Sequence, residues 1–156
     1  MKNIAYIFLI LILSATQFSC NHERKNNRGS APKNQFETNY QKWMQNNISN
    51  YQFTLQRSCE CMPDVTRPIT LRVVNNRIVS SKFANTDTNL SNDLQRNIYT
   101  IEGLFQLVRA AQKKGAHSIK VQYDSNYGYP TSIFIDHSAE IADDETILNI
   151  RQFQPS

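Results

Sequence analysis

The sequence predicts an α+β domain in which two helices pack on one face of an antiparallel sheet of about six strands, in the order α-β-β-β-α-β-β-β. Two stretches carry apolar residues at spacings of three and four, which is the period of an amphipathic helix. Six other short runs are rich in β-branched and aromatic residues, as strands are. Short links join these runs, and strands joined by short links are antiparallel neighbours.

The chain begins MKNIAYIFLILILSATQFSC, with one lysine before an apolar run from Ile4 to Leu13. A charged start, a short apolar run and small residues near a cleavage point are typical of a secretory signal peptide, here residues 1–19. The apolar run is too short for a transmembrane helix, which needs about 20 residues.

QFSC resembles a bacterial lipobox, in which cleavage before the cysteine is followed by its lipidation. This predicts that Cys20 carries acyl chains such as palmitate, and that the protein is a lipoprotein of the bacterial cell envelope. It would be anchored to a membrane and face the periplasm or the exterior. Ordinary cleavage that leaves Cys20 as a free thiol is the alternative.

A polar segment without large apolar residues, NHERKNNRGSAPKNQ, follows Cys20. We therefore expect residues 20–35 to form the lipidated N-terminus and a flexible tether, and residues 36–156 to form one α+β domain. From Phe36 onward, twelve basic residues meet twelve acidic ones. A neutral domain lacks the basic footprint of nucleic-acid binding, so we expect no nucleic-acid partner.

The first predicted helix has one apolar stripe, formed by Phe36, Tyr40, Trp43, Met44 and Ile48. Three strand-like runs follow: YQFTLQR, PITLRVV and RIVSSKF. Asn75 and Asn76 join the last two, and asparagine tolerates the positive φ of a tight hairpin.

The second helix is predicted to begin after Thr100, a suitable N-cap, and to end at Gly115. Glu102 suits the positive end of its dipole. Its buried stripe is Ile101, Leu104, Phe105, Val108 and Ala111. Three more strands are expected in SIKVQYD, PTSIFID and TILNIRQF.

Cys59 and Cys61 form a C-x-C pair in SCECMP. Outside the cytoplasm, paired cysteines tend to oxidise, which favours a disulfide. In a flat strand their separation of about 6.6 Å is too long for this bond, so the chain must curl, as the nearby prolines allow. Free thiols, a metal site and a redox centre are the alternatives, although C-x-C alone is a weak signal for metal or redox chemistry.

Two further stretches hold candidate binding residues. In YDSNYGYPTSIFID, a calcium loop is excluded because Ile135 stands where such a loop needs glutamate. Gly128 permits positive φ, and Tyr127 and Tyr129 either pack on the core or form a contact surface. The acidic run DHSAEIADDE could supply paired carboxylates or a calcium site, but charge runs are usually solvated loops.

These segments together resemble a family of uncharacterised bacterial lipoproteins that share a domain of unknown function. The resemblance covers residues 36–153, including YQF, SCECMP, PITLRVVNNRIV, TIEGLFQLV, YDSNYGYPTSIFID and ADDE. It implies a single exported domain but no reaction. The matching motif residues are Trp43, Cys59, Cys61, Tyr123, Asp124, Gly128, Tyr129, Pro130, Asp136, Asp143, Asp144 and Glu145.

The pattern contains no nucleophile–base pair and no metal-ligand spacing, so we predict a non-enzymatic binding or structural domain without cofactors. Its partners would be the membrane, through the N-terminal lipid, and an envelope protein or other envelope component. The alternative is a thiol-redox or metal-dependent enzyme that uses Cys59 and Cys61 or the acidic cluster between Asp136 and Glu145.

Overall fold

The computed structural model describes residues 31–156. The predicted signal peptide, Cys20 and most of the predicted tether lie outside these residues. The described helices are α1 (Ala31–Gln45), α2 (Pro63–Thr66), α3 (Asn92–Gln95) and α4 (Ile101–Lys114). The strands are β1 (Tyr51–Ser58), β2 (Ile69–Val74), β3 (Arg77–Phe83), β4 (Ser118–Tyr123), β5 (Pro130–Asp136) and β6 (Thr146–Pro155). No helix within this range is long and apolar enough to cross a bilayer.

The six strands form one antiparallel sheet in the order β3-β2-β1-β6-β5-β4. This confirms the predicted fold class, and α2 and α3 add two one-turn helices to the predicted order. Asn75 and Asn76 join β2 to β3 with φ of 50° and 60°, as expected for a tight hairpin. The centre of the sheet is the pairing of β1 with β6, so the first and last of the described strands hold its two halves together.

Both long helices cover the same face of the sheet. Tyr51, on this face of β1, contacts Trp43 of α1 through its ring and accepts a hydrogen bond from the backbone N–H of Ile101 in α4. Burial of alternate strand residues against the helices supplies the main apolar stabilisation. The sheet contributes Tyr51, Phe53, Leu55, Leu71, Val73, Ile133, Ile135, Leu148 and Ile150 to this core.

Helix α4 follows its predicted boundaries. The Thr100 hydroxyl accepts a hydrogen bond from the Gly103 N–H at 3.1 Å, and Gly115 ends the helix in the left-handed conformation with φ of 73°. All five residues of its predicted stripe are buried.

The first helix differs from the prediction in three ways. It begins at Ala31, so it includes the last residues of the expected tether, and it ends at Gln45, before Ile48. The prediction that Met44 belongs to the buried stripe is wrong, because its exposed fraction is 48%. The loop between β4 and β5 packs against α1 beside Asn39 and Lys42. The buried side of the helix therefore includes these positions and excludes Met44.

An irregularity in β6 decides which of its side chains face the core. The pairing of β1 with β6 shifts between Gln52 and Thr54, and Gln152 has φ of 52°. Its side chain accepts a hydrogen bond from the Thr54 hydroxyl at 2.8 Å. This β-bulge adds one residue to the strand, so Phe153 faces the core after Leu148 and Ile150.

Candidate functional site

One face of the sheet carries neither long helix; we call it the open face. Strand register places its side chains in rows that cross several strands. One row contains Lys82, Thr70, Thr54 and Arg151; the next contains Ser80, Arg72, Gln52 and Gln154. Toward the other end of the sheet, the rows are Gln56, Asn149, Ser132 and Gln122, and then Ser58, Ile147, Phe134 and Lys120.

The open face is basic, although the described domain is close to neutral. Its cations are Arg72, Arg77, Lys82, Lys120 and Arg151, whereas its strands contribute one carboxylate, Asp136, at an end of β5. Lys82 pairs with Asp87 of the adjacent loop at 3.0 Å, and Lys120 lies over the Phe134 ring at 5.5 Å. Among residues 31–156, Arg72, Arg77 and Arg151 have no salt bridge.

A shallow depression of about 460 Å³ lies on this face at its β3 side. Its lining includes Gln52, Thr70, Arg72 and Ser80, and the loop at residues 85–87 forms one side. Amide, hydroxyl and guanidinium groups here are available for hydrogen bonds, which suits a polar ligand or the polar part of a partner surface.

Asp124 is a structural residue of the loop between β4 and β5. Its carboxylate accepts hydrogen bonds from the backbone N–H groups of Asn126 and Tyr127, at 2.9 and 2.7 Å. Its own N–H donates to the Tyr129 carbonyl at 2.9 Å, and its carbonyl accepts from Gly128 at 3.0 Å. Asp124 therefore closes the turn in the way that aspartate commonly does.

Gly128 brings this loop into direct contact with α1. Its φ is +80°, and a Cβ atom at this position would lie 2.6 Å from the Asn39 carbonyl oxygen and 3.0 Å from Lys42 Cβ. The Lys42 ammonium group also donates a hydrogen bond to the Ser125 carbonyl at 3.0 Å. The loop docks closely on the helix because Gly128 has no side chain.

Tyr127 and Tyr129 pack on Phe153, the residue that the β6 bulge turns inward. Tyr129 stacks on Phe153 at 4.5 Å between ring centroids, and Tyr127 lies 5.5 Å from the same ring. Burial, together with the charges of Asp124 and Tyr127, raises the pKa of Tyr129. Pro130 is buried beside Tyr129, and Tyr123 stacks on Phe105 of α4 at 6.1 Å. These motif residues thus serve as core packing.

Glu102 joins α1, β1 and α4, a role that the sequence analysis did not foresee. One of its carboxylate oxygens accepts a hydrogen bond from Trp43 Nε1 at 2.9 Å, and the other accepts from the Tyr51 hydroxyl at 3.0 Å. Burial and the Glu102 charge raise the pKa of Tyr51 well above its ordinary value of 10.0. An acidic residue in the first turn of a capped helix was visible in sequence, but its partners lie more than 50 positions away.

The acidic residues of the motif are divided between the two ends of the β4–β5 hairpin. Asp124 follows β4, whereas Asp136 pairs with Ser118 at the opposite end of the same hairpin. At about 3.3 Å per residue, this places them roughly 20 Å apart along the sheet.

The loop after β5 holds the remaining acidic residues. Asp143 and Glu145 are exposed, and Asp143 has φ of 63°. One oxygen of Asp144 is buried without a hydrogen-bond partner among the described residues. No group of three or more His, Cys, Asp or Glu side chains with a metal-binding arrangement occurs in residues 31–156.

Cys59 and Cys61 are bonded to each other in the curled segment after β1, with their Cα atoms 5.2 Å apart. Cys61 is exposed and Cys59 half-buried. Since Ser58 pairs with Ile147, this segment lies at the same end of the sheet as the acidic loop.

The family of unknown function DUF6174 matches residues 35–155, which include every described strand and most of α1. No curated protein and no solved structure matches the chain. This match agrees with the resemblance to an uncharacterised domain that the sequence motifs indicate. The chain belongs to the DUF6174 family of unknown function.

Proposed function

We propose that this protein is a lipid-anchored domain of the bacterial cell envelope that binds another envelope component through the open face of its sheet. The observation that carries this proposal is the charge of that face, which gathers five cations from an otherwise balanced domain around a set of amide and hydroxyl side chains. A partner with acidic groups complements such a surface.

The motif residues support a binding role over catalysis. Several motif residues hold α1, the β4–β5 loop and the sheet together, namely Trp43, Asp124, Gly128 and Tyr129. A reaction needs groups that converge on one reacting centre, and Asp124 and Asp136 lie at opposite ends of a hairpin.

The anchor is the other half of the proposal. A signal-like start, a lipobox-like QFSC and a polar segment before α1 support attachment through acyl chains on Cys20. Mass analysis of protein extracted from membranes should show residues 1–19 removed and acyl chains on Cys20. The Cys20→Ser variant should be released from membranes. An unmodified, soluble wild-type protein would exclude the anchor but would not test binding through the open face.

Site-specific crosslinking tests the binding face. A photo-reactive amino acid replaces Gln52 on the open face in one variant and Gln106 on the exposed side of α4 in a matched control. In cells, the Gln52 variant should give a discrete crosslinked product that the control lacks. Equal products at both positions, or no product at Gln52, would contradict binding through this face.

A thiol-redox function is the second candidate, because the Cys59–Cys61 bond lies in an exposed segment. Redox enzymes expose their reactive sulfur to partners in this way. Thiol titration in graded glutathione buffers tests it: a bond that opens and closes near the redox poise of the envelope favours chemistry, and a bond that stays closed favours a structural link.

A further inference from the structure

A second cavity, of about 370 Å³, lies at the end of the sheet where β1 stops; we call it the terminal pocket. Its floor is made by the buried side chains of Leu55, Ile69 and Leu148. Val65 of α2 and Leu94 of α3 line it from the side. This volume lies within the range of about 300–1,000 Å³ that is typical of small-molecule sites, whose linings are mostly apolar with a few polar groups.

Arg57 is the distinctive polar group of the terminal pocket. Residues Tyr51, Phe53 and Leu55 of β1 face the core on alternate positions, and Arg57 continues this series. It pairs across to Leu148, which is also on the core face. A cation therefore lies on the apolar side of the sheet, where a charged group is costly unless it is solvated or paired.

The acidic residues of the terminal pocket already have partners. Asp64 pairs with Arg67 at 3.2 Å, and Asp93 pairs with Arg96 at 3.6 Å. Arg57 has no salt bridge or hydrogen bond to a side chain in the described part of the chain. The guanidinium group is thus free to take an anion that enters the pocket.

We propose that the terminal pocket binds a small amphiphilic acid, a molecule with an apolar body and one carboxylate. The apolar body would contact the floor and Leu94, and the carboxylate would accept hydrogen bonds from Arg57, which matches carboxylates bidentately. Met62, whose exposed fraction is 76%, lines the same pocket and gives a flexible apolar cover for such a body. This ligand is separate from the partner of the open face.

Calorimetry with the full-length protein and octanoate tests the proposal. Octanoate should bind saturably, and octanol and octylammonium should bind at least about tenfold more weakly, because a charged hydrogen bond is lost. Arg57→Gln should weaken octanoate binding by about tenfold or more. Lys114→Gln, which removes an exposed cation from the last turn of α4, is the control and should leave the affinity unchanged.

A second variant and a spectroscopic readout locate the ligand independently of Arg57. Leu94→Trp should fill the pocket and abolish octanoate binding, and octanoate should shift the methyl NMR signals of Met62 and Leu94 in the native protein. The proposal is overturned by the absence of saturable octanoate binding, by equal binding of octylammonium, or by methyl signals that do not move. Unchanged affinity in a folded Arg57→Gln variant overturns it as well.

Discussion

Replacement of Gly128 by alanine should separate the docking of the β4–β5 loop from an ordinary glycine effect. Gly115 and Gly128 both have positive φ, at 73° and 80°. A Cβ atom at Gly115 would meet nothing within 4 Å, whereas at Gly128 it would lie 2.6 Å from the Asn39 carbonyl oxygen. The two glycines thus differ mainly in the space around them.

The left-handed conformation costs a non-glycine residue about 1–2 kcal/mol, and reduced freedom of the unfolded chain returns about 0.4–1 kcal/mol. Gly115→Ala should therefore lower the free energy of unfolding by about 1 kcal/mol. At Gly128 the loop must also move away from α1, and overpacking of this kind costs about 1–3 kcal/mol more. We expect a total loss of about 2–4 kcal/mol for Gly128→Ala.

Urea unfolding of the two variants and the wild type measures this difference, with far-UV circular dichroism as the probe. The slope of the free energy with denaturant should stay the same in all three proteins. A loss at Gly128 within about 0.5 kcal/mol of that at Gly115 would refute the close packing of the loop against α1.

Three further outcomes are expected. Glu102→Gln keeps one acceptor oxygen and places an amide N–H₂ against a donor. The free energy of unfolding should therefore fall by about 1.5–3 kcal/mol. An unchanged value in urea unfolding would show that the carboxylate is dispensable. Burial raises the pKa of Tyr123 above its ordinary value of 10.0, so the folded state holds this proton where the unfolded state has lost it. Stability should therefore fall as pH rises above about 10, and Tyr123→Phe should make the measured fall shallower, whereas an identical slope would contradict the shift. The ring closed by the Cys59–Cys61 bond is very small. Replacing both cysteines by serine should therefore lower the free energy of unfolding, measured by heat or urea, by only about 1.5 kcal/mol. A decrease above about 4 kcal/mol would mean that the bond shapes the core.

Local sequence patterns were enough for the fold class, for α4 and for the six strands. The stripe of α4, its Thr100 cap, its Gly115 terminus and the Asn75–Asn76 hairpin all depend on residues that are close in sequence. The stripe of α1 was less well predicted, because Met44 lies at a helical spacing that fits a core position. Contacts with distant segments show which way this helix faces, because Trp43 packs on Tyr51 of β1 and the β4–β5 loop packs beside Asn39.

The sequence by itself determined the alternation of helices and strands, because local backbone preferences and the spacing of apolar residues act over a few positions. The tertiary structure alone decided how distant segments meet. The bulge at Gln152 turns Phe153 toward Tyr129, Glu102 receives the hydrogen bonds of Trp43 and Tyr51, and register collects the cations of the open face. Each of these depends on pairing between strands or on contacts across many residues, which no local pattern in the chain specifies.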